Sequence, residues 1–269
     1  MLIDTHCHLN MMIKSDFDVP LKKEQLPAAQ AIIDEAALNE VTTIINVGTS
    51  LIESKNCILL AQGFESVFAT VGIHPNDATE EWHAELKQMD ELLKEKESNK
   101  IVGVGETGID RHYPEYNLQR QVDAFRAQIE MALAHDVGLV IHSRDAYDET
   151  LRVLEEYARH EPRAVMHCFS YDQNFADQVI AWGLKLGIGG TVTYPKNEEL
   201  RSIVKAVKLS DIVLETDAPF LPIQSMRGKK NAPKYIKSIA EYIAELRMQP
   251  LADVTVETTN AAKKLFSLV

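Results

Sequence analysis

Residues 117–142 read NLQRQVDAFRAQIEMALAHDVGLVIH, and this stretch contains the unit from which the whole chain is built. Leu118, Val122, Phe125, Ile129, Ala132 and Leu133 recur at helical spacing behind Asn117, whose side chain can cap the first turn. Gly138 closes the segment, and a short apolar run over residues 139–142 follows as a buried strand. Further strands are expected at 2–6, 41–47, 67–73, 101–105, 164–167, 184–188 and 212–215. Amphipathic stretches separate them near 25–40, 53–62, 83–97, 146–160, 174–182, 197–207 and 233–247. Eight strand–helix alternations without a Gly-, Ser- or Pro-rich linker predict an α/β chain folded as a single (β/α)8 TIM barrel over residues 1–269. A last helical piece, residues 258–266, is expected on the outside of that barrel.

Composition narrows the classes of function. Of the residues, 45% are hydrophobic and 25% charged, as in an ordinary globular protein with a sizeable core. No apolar run approaches the ~18 residues of a membrane span. The start, Met1-Leu2-Ile3-Asp4, lacks the basic and apolar regions of a signal peptide. Cys7, Cys57 and Cys168 form no paired spacing, which fits a reducing compartment, and a cytoplasmic protein is expected. A net charge of −12 argues against general coating of nucleic acid, although a site needs only a local positive field.

The chemistry collects where the strands end. In Asp4-Thr5-His6-Cys7-His8, strand alternation points His6 and His8 one way and Cys7 the other. Two imidazoles converging at a strand's C-terminal end suit a metal. Glu106 follows the fourth strand, His142 ends the fifth, His167 ends the sixth and Asp217 follows the eighth. Active sites of TIM barrels are built on this C-terminal face. Five of the nine histidines (His6, His8, His74, His142 and His167) fall at strand ends, and His83, His112, His135 and His160 are expected in solvated positions. Four imidazoles and two carboxylates exceed the needs of one tetrahedral ion and fit two, with Glu106 spanning both. Such a pair can activate water and stabilise a leaving oxygen, with Asp217 as general base. No serine elbow or phosphate-cradling glycine loop is present.

These residues resemble the TatD-type metal-dependent deoxyribonucleases, amidohydrolase-like TIM barrels, along essentially the whole chain. The resemblance is carried in order by Asp4-Thr5-His6-Cys7-His8, Gly72-Ile73-His74-Pro75, Gly105-Glu106-Thr107-Gly108-Ile109-Asp110, His142-Ser143-Arg144, His167-Cys168-Phe169-Ser170 and Glu215-Thr216-Asp217-Ala218-Pro219. It implies two divalent cations, magnesium or manganese, with zinc also admitted by the imidazole-rich donor set. One would take His6, His8, Glu106 and Asp217, and the other Glu106, His142 and His167. His74 would stand behind the ligands or touch the scissile phosphate. The implied activity is a 3′→5′ exonuclease acting on DNA, with deacylation of D-aminoacyl-tRNA or opening of a small ester or lactone as the alternative. Tyr171 and Ala232 depart from the family's usual glycine and acidic residue.

Arg111, Arg144, Lys196, Arg227, Lys229 and Lys230 all follow strand ends, whereas excess acid lies in helical segments such as residues 80–97. A basic ring over the metals would suit the end of an anionic polymer, so these six are candidate DNA-binding residues. No obligate protein partner is evident in the sequence.

Overall fold

A computed structural model describes residues 1–14 and 16–268. In chain order its elements are β1 (Leu2–Cys7), α1 (Leu9–Met12), α2 (Leu26–Leu38), β2 (Val41–Asn46), α3 (Leu51–Gly63), β3 (Val67–Val71), α4 (Trp82–Leu93), α5 (Lys96–Asn99), β4 (Ile101–Asp110) and α6 (Leu118–His135). Then follow β5 (Gly138–Arg144), α7 (Tyr147–Tyr157), β6 (Ala164–Met166), α8 (Gln173–Ala181), β7 (Lys185–Ile188), α9 (Glu198–Ala206), β8 (Ile212–Leu214), α10 (Ile236–Arg247) and α11 (Leu251–Phe266). The strands pair in parallel in sequence order, β1 through β8. This is the (β/α)8 barrel that the alternation predicts.

The seam between β8 and β1 is closed mostly beyond the strands themselves. Thr5 Oγ1 donates to Leu214 O at 3.0 Å, and Thr216 N and Oγ1 donate to the Asp4 carboxylate at 3.0 and 2.6 Å. Asp217 N donates to His6 O at 2.8 Å, and His8 N donates to Ala218 O at 2.7 Å. The bonds that shut the barrel therefore also bring Asp217 alongside His6 of β1 and His8 just beyond it.

Side-chain alternation divides the core into two layers. Leu2, Ile44, Val71, Leu139, Met166 and Leu186 face the surrounding helices. Ile3, Ile45, Val140, Val165 and Val213 pack in a separate cluster with Ala261, Ala262, Leu265 and Phe266 of α11. The last helix thus corrects the expectation of an external piece at residues 258–266. It starts at Leu251, behind Pro250, and its end packs against the alternate strand residues at the foot of the barrel. Gly103 and Gly138, near the starts of β4 and β5, leave room there for the Phe266 ring.

Other boundaries differ for local reasons. The helix expected over 83–97 breaks into α4 and α5, with Glu95 between them as the N-cap of the second. The first turn of the segment expected at 233 is a 3-10 turn starting at Pro233. β4 runs five residues beyond the predicted end at 105, because it stays paired with β5 as far as Asp110 and Arg144. His135 is not simply solvated: its Nε2 lies 2.7 Å from Asp90 Oδ1.

Candidate metal centre

The longer β4 is what delivers Glu106. Val104 pairs with Leu139 and Thr107 with Ile141, so β4 carries one extra residue between them. Such a bulge re-aims a side chain. Here Gly105 takes φ +141, and a Cβ at that position would stand 2.6 Å from Val140 O. Glu106 N donates to Gly48 O at 2.7 Å, which fixes the bulge across the barrel mouth. The Glu106 side chain, buried at 4% exposure, then lies among the imidazoles.

Glu106 Oε2 is 3.3 Å from His6 Nε2 and 3.7 Å from His8 Nε2. Its other oxygen, Oε1, is 2.8 Å from His142 Nδ1, 3.7 Å from His167 Nε2 and 3.8 Å from His74 Nε2. Asp217 Oδ1 lies 3.7 Å from His6 Nε2 and 3.5 Å from His8 Nε2. The seven residues named for chemistry from the sequence therefore meet around one carboxylate. His6, His8 and Glu106 form one group with the spacing of a cation site, and Glu106, His142 and His167 another.

The far nitrogen of two of the imidazoles is hydrogen-bonded, and that of a third faces a carboxylate at ion-pair distance. His8 Nδ1 is 2.9 Å from Val47 O, His142 Nε2 is 3.0 Å from Asp110 Oδ2, and His167 Nδ1 is 3.0 Å from Glu215 Oε1. A proton held at that nitrogen leaves the inward one with a lone pair, as metal-ligating histidines require. By this rule His8 and His167 present Nε2, and His142 presents Nδ1. Asp110 and Glu215 are candidate positioning residues that sequence reasoning missed, although they lie in the segments 105–110 and 215–219 that carry the family resemblance. Glu215 fits because Gly187 stands opposite it, where a Cβ would approach Glu215 Oε2 to 2.3 Å.

His74, Asp110 and His142 also have cation-site spacing. The oxygens of Asp110 are already occupied, however. Oδ2 accepts from Asn76 Nδ2 at 3.1 Å as well as facing His142, and Oδ1 accepts from His112 N at 2.8 Å. Asp110 is better suited to orient His142 than to bind an ion of its own.

The electrostatics agree with this division of roles. Burial opposes charge on Glu106 and Asp217, but neighbouring imidazoles outweigh it and hold both carboxyls below their usual range. Burial, then His142, pushes His74 down to about 3. His74 Nδ1 accepts from Asn76 N at 3.2 Å, so this neutral ring presents an Nε2–H donor. Burial would lower His167, yet Glu215 and Glu106 raise it to about 10. A cation binding there must displace a proton. His6 and His8 bring their Nε2 atoms within 3.1 Å of each other. Lone pairs and carboxylate oxygens so concentrated, with no described lysine or arginine lining the cavity, fit divalent cations.

The cavity measures about 270 Å³ and includes Met11, Phe17, Asp18, Asp77 and Phe220 beside these histidines and carboxylates. None of the six basic residues singled out in the sequence lines it. Arg111 Nη1 is engaged by Glu149 at 2.6 Å, and Arg227 lies over the Tyr194 ring at 4.7 Å. Arg144, Lys196, Lys229 and Lys230 are exposed. Cys7 is fully buried in the outer core, turned away from its histidine neighbours as alternation predicts.

Residues 3–267 match the family described as TatD related DNase. The chain is 31% identical over 268 residues to the uncharacterized metal-dependent hydrolase YabD of Bacillus subtilis, covering 100% of both proteins. It is 30% identical over 268 residues to the uncharacterized metal-dependent hydrolase YjjV of Escherichia coli, covering 99% of this chain and 98% of that one. The crystal structure of the Escherichia coli YjjV TatD homologue superimposes with a TM-score of 0.89 at 26% identity, over 100% of this chain and 98% of that chain.

Proposed function

Because this chain belongs to the TatD-related DNase family of metal-dependent hydrolases, we propose that it removes nucleotides from the 3′ end of DNA by hydrolysing phosphodiester bonds with two divalent cations. The observation that carries this reading is the convergence of four imidazoles on the two oxygens of Glu106. His6, His8, Glu106 and Asp217 would hold one cation, and Glu106, His142 and His167 the other. Magnesium or manganese is expected, and zinc is admitted by the nitrogen donors. Cations so placed supply Lewis acidity to the phosphoryl group and acidify a water.

The side chains divide the remaining work. Asp217, held charged by its imidazole neighbours, accepts the proton of the attacking water. His74, neutral with its donor facing the centre, gives a hydrogen bond to a phosphoryl oxygen as charge builds there. Glu106, with one oxygen toward His6 and the other toward His142, would offset the charge of both cations. Arg111, Arg144, Lys196, Arg227, Lys229 and Lys230 lie outside the cavity, so any contact they make is with phosphates farther along the strand.

A second reading is favoured by one feature: Asp18 and Asp77 face the cavity and no described lysine or arginine does. That wall suits a substrate with little negative charge near the centre, such as the ester of a D-aminoacyl-tRNA or a small lactone. The test is a panel of labelled single-stranded DNA, RNA, D-aminoacyl-tRNA and simple lactones, presented to protein loaded with manganese or magnesium. Stepwise loss of nucleotides from the 3′ end is the expected outcome. Hydrolysis confined to carboxylic esters would establish the second reading instead. Replacing Lys229 and Lys230 by Glu should weaken DNA cleavage and flatten its salt dependence, while a small phosphodiester is cut as before.

A further inference from the structure

Two phenylalanines stand exposed on the rim of the cavity that holds the histidines. Phe17 is 63% exposed and Phe220 is 44% exposed, and both line the cavity together with Met11. The backbone of Phe220 is nevertheless pinned, and so is the residue after Phe17. Phe220 N donates to Asp217 O at 2.7 Å, and Phe220 O accepts at 2.8 Å from the buried Asn231. The Phe220 backbone is thereby held beside Asp217, and its ring meets His8 edge-on, with centroids 6.0 Å apart. Beside Phe17, Asp18 N donates to Glu53 Oε1 at 2.7 Å, and the Asp18 carboxylate accepts from Ser50 Oγ at 2.5 Å. Large apolar rings held in water gain nothing for the fold, and at the edge of a reactive cavity they are suited to cover a ligand.

The other lining groups narrow the identity of that ligand. Asp18 and Asp77 offer no attraction to a run of phosphates, whereas a neutral flat ring meets no repulsion there. About 270 Å³ lies just under the ~300 Å³ at which small-molecule sites usually begin, enough for one nucleoside-sized unit and too little for a duplex. Resting on the DNA-end reading above, we propose that Phe17 and Phe220 bind the planar base of the terminal nucleotide by ring-face contact. Every base has such a face, so this recognition is indifferent to sequence. The acidic wall turns the following phosphates outward, so a single unit enters at a time.

The test uses the full chain loaded with manganese and single-stranded oligonucleotides that differ in the final 3′ residue alone. One carries a base there, and the other a tetrahydrofuran abasic analogue. Wild-type protein is expected to favour the base by at least about 10-fold in KM, the scale of one base–aromatic stack. The Phe17→Ala, Phe220→Ala double variant should cut both at the same rate, and Phe220→Tyr should keep the preference. A double variant with the wild-type preference overturns the proposal, as does wild-type protein that shows none. Should the double variant misfold by circular dichroism, Phe17→Leu with Phe220→Leu keeps apolar bulk and removes the ring faces.

If wild-type protein cleaves neither strand, the nuclease reading fails by itself. The ring contact is then read from binding of an oligonucleotide ending in 2-aminopurine, whose fluorescence falls on stacking. Quenching by wild-type protein that disappears in the double variant supports the proposal, and absence of quenching overturns it.

Discussion

Asp110→Asn should loosen one cation and spare the other. The carboxylate accepts three hydrogen bonds, from His142 Nε2 at 3.0 Å, Asn76 Nδ2 at 3.1 Å and His112 N at 2.8 Å. An asparagine has one oxygen for these donors, so its NH2 group must face either His112 N–H or the His142 and Asn76 pair. The first arrangement costs less, because a single donor is lost. It still replaces a charged acceptor behind His142 by a neutral one, a difference of about 1–1.5 kcal/mol. That corresponds to roughly 10-fold in affinity, at the low end of the ~10–100-fold seen for partners behind metal-bound histidines.

Burial lowers the proton affinity of His142, while Asp110 and Glu106 raise it above the usual value. Removing Asp110 therefore also weakens proton competition, which by itself would favour the metal on the acid side. The comparison belongs on the alkaline side, where neither protein carries that proton. Calorimetric titration with manganese should give two steps, with the weaker one shifted about 10-fold in the variant and the other in place. Equal affinities in variant and wild type would refute the orienting role of Asp110. A matched loss at both steps would show that Asp110 supports the whole mouth of the barrel and not His142 in particular.

Glu106→Gln should abolish binding of both cations along with turnover, whereas Asp217→Asn should keep much of the metal and lose at least ~10²-fold in rate; metal analysis beside single-turnover rates separates the two. Asp77 is raised from 3.8 to about 7, by burial first and then by Asp18, Glu106, Glu85 and Glu53. A raised folded value means stability that is full below about pH 4 and lost as pH climbs through about 7, so Asp77→Asn should stabilise metal-free protein above that range and not below it. The ceiling is ~4 kcal/mol, reduced by solvent screening, and urea denaturation across pH reads it. Phe266→Ala should cost ~3–5 kcal/mol in the same assay by opening the foot of the barrel, and a loss under ~1 kcal/mol would return the last helix to a peripheral role.

Much of this was legible in the chain because it depends on local periodicity. Strand alternation turns His6 inward and Cys7 into the outer core, and the 3.6-residue period separates α6 from β5 at Gly138. The positions of His6, His8, Glu106, His142, His167 and Asp217 at strand ends place them on one face once a closed barrel is assumed. What alternation could not supply was any contact between residues far apart in sequence. The bulge that turns Glu106 into the mouth exists because β4 must match β5 across one extra residue. Asp110 and Glu215 look like ordinary carboxylates until His142 and His167 are brought against them. The six basic residues share a face in the sequence pattern, yet loop paths and partners such as Glu149 keep all of them out of the cavity. Neighbouring residues alone set His6 and His8 on one side of their segment and Cys7 on the other, because the pleat is a local property. Tertiary structure alone decided which nitrogen of each imidazole faces Glu106 and which groups wall the cavity, because those depend on partners across the barrel that no local period encodes.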